Sequence, residues 1–393
     1  MLALRTTGHR LSRRPGNCPG DFNRLEACPT QRNLPLCHIY FSKLEMIKYM
    51  LTQPLRFAPL FTRLSRNYRD RMASQTILTQ VSDETKLDIL PLIPRNGFDT
   101  HVHVFDPRLA QYATTRAYTP EDAPLENLVA FNQSISSNPE SNSLVLVQPS
   151  PYKNDCSAMI HCMHQLKAQN IQVFGIVVLD LNTTSDHQLK EMHELGIRGV
   201  RLNFQADGKE VNTDKLVAAL NETAERIRHL PGWMIQLFVP GWAWDQLHDP
   251  IIRLPVTIIA DHLGGMRGSS KLPLLLQSVP RSQPGFKSLL SLARKSRVAV
   301  KISGLYRMST DTPVHDDLQP IVQAFSREIP NQLIWGSDWP HTGEGSNRLE
   351  GRIDIKEPFR VVDNHGILGR LHDWMGSEVY IKMMADNPKR LFH

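Results

Sequence analysis

The 393-residue sequence lacks the features that mark several common protein classes. It contains no run of 18 apolar residues, so no transmembrane helix is predicted. Its five cysteines do not form the pattern of a disulfide framework, because three lie in an irregular front segment and two share one predicted helix. We therefore expect a soluble, intracellular protein.

Three nucleotide-binding and catalytic motifs are also missing. There is no G-x-G-x-x-G, no P-loop and no G-x-S-x-G elbow. The sequence therefore gives no support for dinucleotide binding, phosphoryl transfer or serine-hydrolase chemistry. Cys156, His161, Cys162 and His164 resemble zinc ligands in composition. They lie in one predicted helix, however, where the spacing puts Cys156 and His161 on different faces, and this argues against a zinc site.

Positive charge is concentrated at the front of the chain. Residues 1–75 hold 13 Lys+Arg against 4 Asp+Glu, whereas residues 76–393 hold 32 against 35. The mildly acidic body does not support a nucleic-acid partner. The Arg-rich stretch from Met46 resembles a mitochondrial presequence, with a disordered basic tail or a later start at Met46 or Met72 as the alternatives. We expect a mitochondrial or cytoplasmic protein with a basic extension over residues 1–75 and one domain over residues 90–393.

The body alternates short apolar runs with amphipathic stretches, a pattern typical of a parallel sheet covered by helices. One helix is predicted over Asp186–Leu195 and another over Asp214–Arg228. Eight alternating units favour an α/β fold of the (β/α)₈ TIM-barrel type. The predicted strands are Phe98–Phe105, Ser143–Gln148, Val173–Leu179, Gly199–Asn203, Trp233–Val239, Val256–Ala260, Val298–Ser303 and Leu333–Gly336.

Reactive groups of such a barrel belong at the carboxyl ends of its strands. His101 and His103 alternate along the first strand and so share a face, as a metal pair, a substrate clamp or a structural pair. His262 follows the sixth strand, where it would polarise a carbonyl, ligate a metal or bond to backbone. Asp338 follows the eighth strand and is the preferred general base, with a helix N-cap as the alternative.

Three further polar residues lie on or just after strands. Arg201 follows strand four, Gln236 lies within strand five, and Arg307 follows strand seven. Arginine forks bind carboxylates, so Arg201 and Arg307 suit an acidic substrate, unless they form surface salt bridges. We expect these three residues to bind a small, anionic substrate.

The segments FDTHVHVF, GVRLNF, IIADHLGG, VAVKISGLYR, LIWGSDWPH and ADNPKRLF together resemble the amidohydrolase-related family (amidohydrolase 2), from about Gly97 to Phe392. Within it, ISGLYR and WGSDWPH are most similar to the branch that contains 2-pyrone-4,6-dicarboxylate lactonase. This resemblance implies hydrolysis of a lactone or cyclic ester. By matching motif, Asp338 would be the base, and His101, His103 and His262 would polarise the carbonyl. Substrate would be held by Arg201, Tyr306, Arg307 and His341.

Other branches of this family bind zinc or manganese through the first-strand histidines, a strand-five histidine and the strand-eight aspartate. The fifth strand here carries Gln236, and an amide oxygen is a poor substitute for imidazole at zinc. We therefore expect no metal cofactor. A single divalent metal such as zinc, held by His101, His103 and Asp338, is the alternative.

Two other functions stay open at this stage. One is a metal-dependent amidohydrolase or decarboxylase. The other is a barrel without catalysis that serves as a binding protein, since fold alone does not give function. The oligomeric state and the role of the insertion Met266–Pro284, a lid or a contact surface, are also open.

Overall fold

The computed structural model describes residues 92–204, 211–344 and 353–393. The basic extension over residues 1–75 lies outside the described residues. Among the described residues, no helix is long and apolar enough to cross a membrane.

Eight parallel strands form one sheet in sequence order, each paired with the next. The predicted TIM barrel is thus confirmed, and each of the eight predicted strands overlaps an observed one. The strands are β1 Phe98–Val102, β2 Ser143–Val147, β3 Gln172–Val177, β4 Ile197–Asn203, β5 Met234–Phe238, β6 Ile258–Ala260, β7 Val298–Ile302 and β8 Leu333–Trp335. Two short strands outside the barrel, Thr119–Pro120 and Lys356–Glu357, pair with each other.

Helices surround the sheet and alternate with its strands. They are α1 Leu125–Ile135, α2 Ser157–Ala168, α3 Asp186–Leu195, α4 Thr213–Ile227, α5 Ala243–Arg253, α6 Leu274–Gln277, α7 Phe286–Arg294, α8 Leu305–Met308, α9 Gln319–Glu328, α10 Asn364–Ile381 and α11 Asn387–Phe392. The prediction for α3 is confirmed to the residue, and that for α4 to within one residue at each end.

The sharp ends of α3 follow from its local sequence. Ser185 and Gln188 form a reciprocal capping box that satisfies two free backbone N–H groups at its start. Gly196 ends the helix with a φ of 105°, a conformation that a residue with a Cβ rarely adopts. These two signals bracket the helix in the sequence itself.

The barrel closes where the chain after β8 returns to β1. The backbone N–H of Asp338 donates to the carbonyl of His101 at 2.9 Å, and that of His103 donates to the carbonyl of Trp339 at 2.9 Å. These hydrogen bonds hold the end of β8 against the end of β1. They bring Asp338 beside His101 of β1 and His103, which directly follows β1.

Aromatic side chains fill the opposite end of the barrel. Phe98 at the start of β1 and Phe174 of β3 stack on Phe392 of α11, with ring centroids 6.4 Å and 5.6 Å away from it. All three are buried with Val145, Val147, Ile176, Met234, Ile259 and Ile334. The C-terminal helix thus plugs the amino-terminal end, and the polar groups occupy the carboxyl-terminal end.

Candidate active site

The carboxyl-terminal ends of the strands bring the predicted site residues together in one buried cluster. Buried there are His101, His103, Arg201, His262, Tyr306, Asp338 and His341, with Arg307 partly exposed. Gln236 is buried one layer below, inside the barrel. We call the cluster of His101, His103, His262 and Asp338 the reaction centre.

The two carboxylate oxygens of Asp338 have different surroundings. Oδ2 accepts hydrogen bonds from the Nε of Arg307 at 2.6 Å and from the hydroxyl of Tyr306 at 2.7 Å. Oδ1 is buried without a hydrogen-bonding partner and lies 3.7 Å from the Nε2 atoms of both His101 and His103. Arg307 holds the pKa of Asp338 well below its usual range, against the effect of burial. The carboxylate is therefore ionised and presents one free oxygen to the centre.

The histidines of β1 meet edge to face at their Nε2 atoms, which are 3.2 Å apart. The Nδ1 atom of His103 lies 2.7 Å from the carbonyl oxygen of Val147, an acceptor, so it carries a proton. Burial lowers the pKa of His101 and of His103. A neutral His103 therefore offers an unprotonated Nε2 to the centre.

His262 lies at the opposite side of His101, with the ring centroids 4.9 Å apart. Its Nδ1 is 3.0 Å from the hydroxyl of Ser303, and burial lowers its pKa to about 4. The backbone φ is 51° at His262 and 63° at Asp338, in the left-handed region that residues other than glycine seldom occupy. Both side chains thus project from strained turns at strand ends.

A buried charged layer lies directly beneath the reaction centre. The Nζ of Lys301 is 2.7 Å from Oε1 of Gln236, 3.2 Å from Oδ1 of Asp261 and 3.3 Å from Nδ1 of His101. The Nε2 of Gln236 donates to Oδ2 of Asp261 at 2.8 Å. Gln236 was expected to contact substrate, but both polar atoms of its amide are engaged inside the barrel. Asp261 lies between Lys301, Gln236 and His101.

The two arginines of the site have different contacts. All three nitrogens of Arg307 are engaged, with Asp338, with the carbonyl of Gly343 at 3.2 Å and with the hydroxyl of Thr342 at 2.7 Å. In Arg201, Nη1 donates to the carbonyl of Gln148 at 3.3 Å, while Nε is buried without a hydrogen-bonding partner. Arg307 therefore holds Asp338 and its loop, and Arg201 keeps a donor free for a ligand.

His341 completes the wall of the site. Its ring packs edge-on against Tyr306 and Phe131, and burial lowers its pKa to about 4. Its Nε2 is buried without a hydrogen-bonding partner among the described residues. A neutral imidazole with an open nitrogen suits a polar group of a substrate.

The donor set at the reaction centre fits a divalent metal. His101, His262 and Asp338 each offer a ligand atom within 4.8 Å of the others. The Nε2 atoms of His101 and His103 and Oδ1 of Asp338 form a smaller triangle, and a point equidistant from these atoms lies about 2.1 Å from each, a Zn–N bond length. The free Oδ1 of Asp338 is the kind of orphaned atom that a cation would satisfy.

Two buried ionisable groups were missed by sequence reasoning. Lys301 was read only as part of a family motif, although a lysine inside an apolar barrel strand is itself a signal of an internal ion pair. Asp99 accepts backbone N–H bonds from His101 at 3.2 Å and Ser337 at 2.9 Å, and burial raises its pKa to about 6. It ties β1 to the turn that carries Asp338.

Helix α2 carries His161, Cys162 and His164 and begins just after Cys156. Among the residues that the structure describes, these side chains form no cluster of metal-binding groups. Cys156 and Cys162 are buried free thiols. Burial raises the pKa of each to about 12, which leaves both as unreactive thiols.

A parallel eight-stranded barrel with a His-His-Asp centre at its carboxyl-terminal end defines the class of amidohydrolase-type TIM barrels. The sequence model described as amidohydrolase matches residues 98–393. The chain belongs to this family, as its motifs predicted.

Two curated relatives are hydrolases by name. The chain is 30% identical to a 4-sulfomuconolactone hydrolase from Rhizobium radiobacter, over 76% of this chain and 91% of that protein. It is 26% identical to a 2-pyrone-4,6-dicarboxylate hydrolase from Comamonas testosteroni, over 76% of this chain and 91% of the relative. A crystal structure of a probable 2-pyrone-4,6-dicarboxylic acid hydrolase from Acinetobacter baumannii shares the fold. Its TM-score is 0.55 at 24% identity, over 76% of this chain and 99% of that chain.

Proposed function

We propose that this protein hydrolyses a lactone or cyclic ester of an acidic small molecule, with Asp338 as the general base. The observation that carries the proposal is the asymmetric carboxylate of Asp338. One oxygen is fixed by Arg307 and Tyr306, and the other is buried, unpaired and aimed at the histidines of β1. The names of the curated relatives, both hydrolases of acidic lactones, support the same reaction class.

The reaction begins with a water molecule beside Oδ1 of Asp338. The water oxygen attacks the acyl carbon while Oδ1 accepts a water proton, which forms a tetrahedral intermediate. The acyl C–O bond of the ring then breaks, and the proton held by Asp338 passes to the departing ring oxygen. The products are one hydroxyl or enol group and one carboxylic acid, which ionises at neutral pH.

Imidazole N–H groups around the centre supply the electrophilic help. His101 and His262 flank the place where negative charge develops on the carbonyl oxygen, and such preorganised donors are worth about 10²–10³ in kcat each. The unprotonated Nε2 of His103 acts there as an acceptor. Hydrogen-bond donation to the carbonyl oxygen is sufficient for an ester, because an ester has a good leaving group. It is less sufficient for an amide.

Arg201 is proposed to bind the acidic group of the substrate. Its Nε is buried and free of hydrogen bonds, and its guanidinium lies above the carboxylate of Asp261, with Nε 3.6 Å from Oδ2. An anionic substrate would satisfy this donor and be drawn toward the centre. Arg307, which has no nitrogen without a protein contact, is assigned to the base instead of the substrate.

We propose that the protein residues alone perform this reaction. A divalent metal would be held by His101, His103 and Asp338, and when bound it would supply Lewis-acid polarisation of the carbonyl and acidify water. The close donor triangle is the observation that favours the second candidate, a metal-dependent hydrolase or decarboxylase that uses the same centre.

A proton-release assay tests the primary proposal, because each lactone opening frees one proton at neutral pH. The full chain is titrated at constant pH with 2-pyrone-4,6-dicarboxylate, with its neutral dimethyl ester and with the lactam of the same skeleton. We expect turnover of the acidic lactone, a higher KM for the ester and no turnover of the lactam.

Metal analysis separates the two candidates. The purified chain is dialysed against metal-free buffer, and its metal content and activity are measured on the same sample. Activity at less than a tenth of an equivalent of metal supports catalysis by the protein residues. About one equivalent of zinc or manganese, with activity only on the lactam or on substrates that lose CO₂, overturns the lactonase proposal.

A further inference from the structure

We propose that Lys301 is a positioning residue that fixes His101 in the tautomer with its proton on Nε2, so that His101 serves as a hydrogen-bond donor at the reaction centre. This inference deepens the proposed function and rests on it. It concerns a residue of the buried charged layer, not of the reaction centre itself.

The position of the His101 proton depends on the hydrogen-bond donors of Lys301. An ammonium group has three N–H donors and no acceptor. Its three neighbours among the described residues are Oε1 of Gln236 at 2.7 Å, Oδ1 of Asp261 at 3.2 Å and Nδ1 of His101 at 3.3 Å. Lys301 is fully buried, so a donor without an acceptor there would be costly. The contacts with Gln236 and His101 are hydrogen bonds and that with Asp261 is an ion pair, so Lys301 can donate to His101 only if Nδ1 is unprotonated.

In the competing arrangement, His101 would donate from Nδ1 to Oδ1 of Asp261, which lies 3.4 Å away. This arrangement would place the Nδ1 proton against the third N–H of Lys301. Oδ1 of Asp261 is buried without a hydrogen-bonding partner, so its 3.4 Å contact with Nδ1 of His101 is not a hydrogen bond, whereas Nζ of Lys301 does hydrogen-bond to Nδ1 at 3.3 Å. The hydrogen bond at Nδ1 therefore comes from Lys301, which places the proton of a neutral His101 on Nε2.

The Nε2 proton of His101 lies at the reaction centre. His103 donates from Nδ1 to the carbonyl of Val147, so its Nε2 is an acceptor, and it lies 3.2 Å from Nε2 of His101. One chain of donors thus runs from Lys301 through His101 to His103. When a substrate arrives, the Nε2 proton of His101 is available to its carbonyl oxygen. The two histidines of β1 therefore have opposite roles, His101 as donor and His103 as acceptor.

The same arrangement bears on metal binding. A metal at the reaction centre needs the lone pair of Nε2 on His101, which moves the proton to Nδ1 and against Lys301. A buried ammonium next to the ligand also repels a cation. The distances at the centre fit a metal, and Lys301 opposes it.

The direct test is the position of the proton in the wild-type full chain without metal. Histidine is labelled with ¹⁵N in its ring, long-range ¹H–¹⁵N correlations are recorded, and the signals of His101 are assigned by their loss in His101→Asn. We expect a protonated Nε2 and an unprotonated Nδ1. A protonated Nδ1 on His101 overturns the proposal. It would leave lactone hydrolysis untouched, because the assay for that reaction is separate.

The role of Lys301 is tested with Lys301→Met, which keeps the length of the side chain and removes its donors. We expect the His101 proton to move to Nδ1, kcat to fall about 100-fold with little change in KM, and zinc to bind at least about tenfold more tightly by calorimetry. Lys287→Met, at an exposed lysine on α7, is the matched control and should change none of these.

An unchanged tautomer and an unchanged zinc affinity in Lys301→Met would overturn the proposal. If this variant does not fold, neutron diffraction from the wild-type protein decides the matter. A Lys301 deuteron between Nζ and Nδ1 of His101 supports the proposal, and a deuteron on Nδ1 of His101 refutes it.

Discussion

Arg307 contacts only one carboxylate oxygen of Asp338, with Nε of the arginine 2.6 Å from Oδ2. The other oxygen, Oδ1, stays buried and free of hydrogen bonds. Such a contact fixes the direction in which the carboxylate points and keeps it ionised. The proposed catalytic role of Asp338 and its dependence on Arg307 can be tested separately.

Replacing Asp338 by asparagine should abolish most of the lactonase activity. The amide keeps the shape of the side chain but cannot accept a proton from water, and general-base catalysis is worth about 10²–10⁴ in rate. We expect kcat to fall by about 10³ in the proton-release assay. Asp249→Asn, at an exposed aspartate on α5, is the matched control. A variant at Asp338 that keeps a tenth of the wild-type kcat would rule out this role.

Replacing Arg307 by lysine should shift the pH dependence. Arg307 lowers the pKa of Asp338, so weakening this contact raises that pKa and moves the acidic limb of the kcat/KM profile to higher pH. We expect kcat at neutral pH to fall about tenfold to 100-fold, since lysine cannot reproduce the three contacts of the guanidinium. The full pH profiles of both proteins check the shift. An unmoved acidic limb would contradict the assignment.

Replacing Gly304 by alanine should disturb the centre without replacing any of its polar side chains. Gly304 has a φ of 55°, and a Cβ there would lie 2.6 Å from Nδ1 of His262 and 3.0 Å from Oδ2 of Asp338. Displacing reactive groups by about 1 Å can cost 10²-fold in rate. We expect a loss of about 10-fold to 100-fold in kcat/KM. Gly369→Ala, where an added Cβ meets nothing within 4 Å, is the control and should retain wild-type activity.

Replacing Phe392 by alanine should destabilise the barrel from the end opposite the site. Its ring is fully buried between Phe98 and Phe174, and truncations of this kind cost about 3–5 kcal/mol. Urea unfolding measures the loss. KM of the folded variant should match the wild type, and Leu391→Ala, at the partly buried neighbour, should cost less than half as much. Equal losses for both variants would show that the aromatic plug is not the cause.

The free energy of unfolding should decrease as the pH falls from about 6.5 to about 4. The pKa values of His262 and His341 are lowered to about 4 in the folded state, so in this window only the unfolded chain takes up their protons. Asp99, with its pKa raised to about 6, acts in the opposite direction, but it is one group against several histidines. Thermal unfolding from pH 4 to 8 measures the slope. A Tm that rises toward pH 4 would contradict this balance.

The sequence by itself determined the barrel and the end at which its polar residues gather. Apolar runs such as those of β2 and β6 are readable because strands covered on both faces must be apolar throughout. The polar residues that interrupt them, among them His101, His262 and Asp338, lie at strand ends because a barrel gathers its carboxyl ends at one place. The family of the chain was also readable from these segments, and the comparisons confirm it.

Only the tertiary structure decided how the polar residues divide the work. Arg201 and Arg307 look alike in the sequence, yet one keeps a free donor and the other holds Asp338. Gln236 and Lys301 lie 65 residues apart and meet inside the barrel, where they hold Asp261. Hydrogen-bond partners depend on distances between strands that are remote in the chain, and no local pattern encodes those distances.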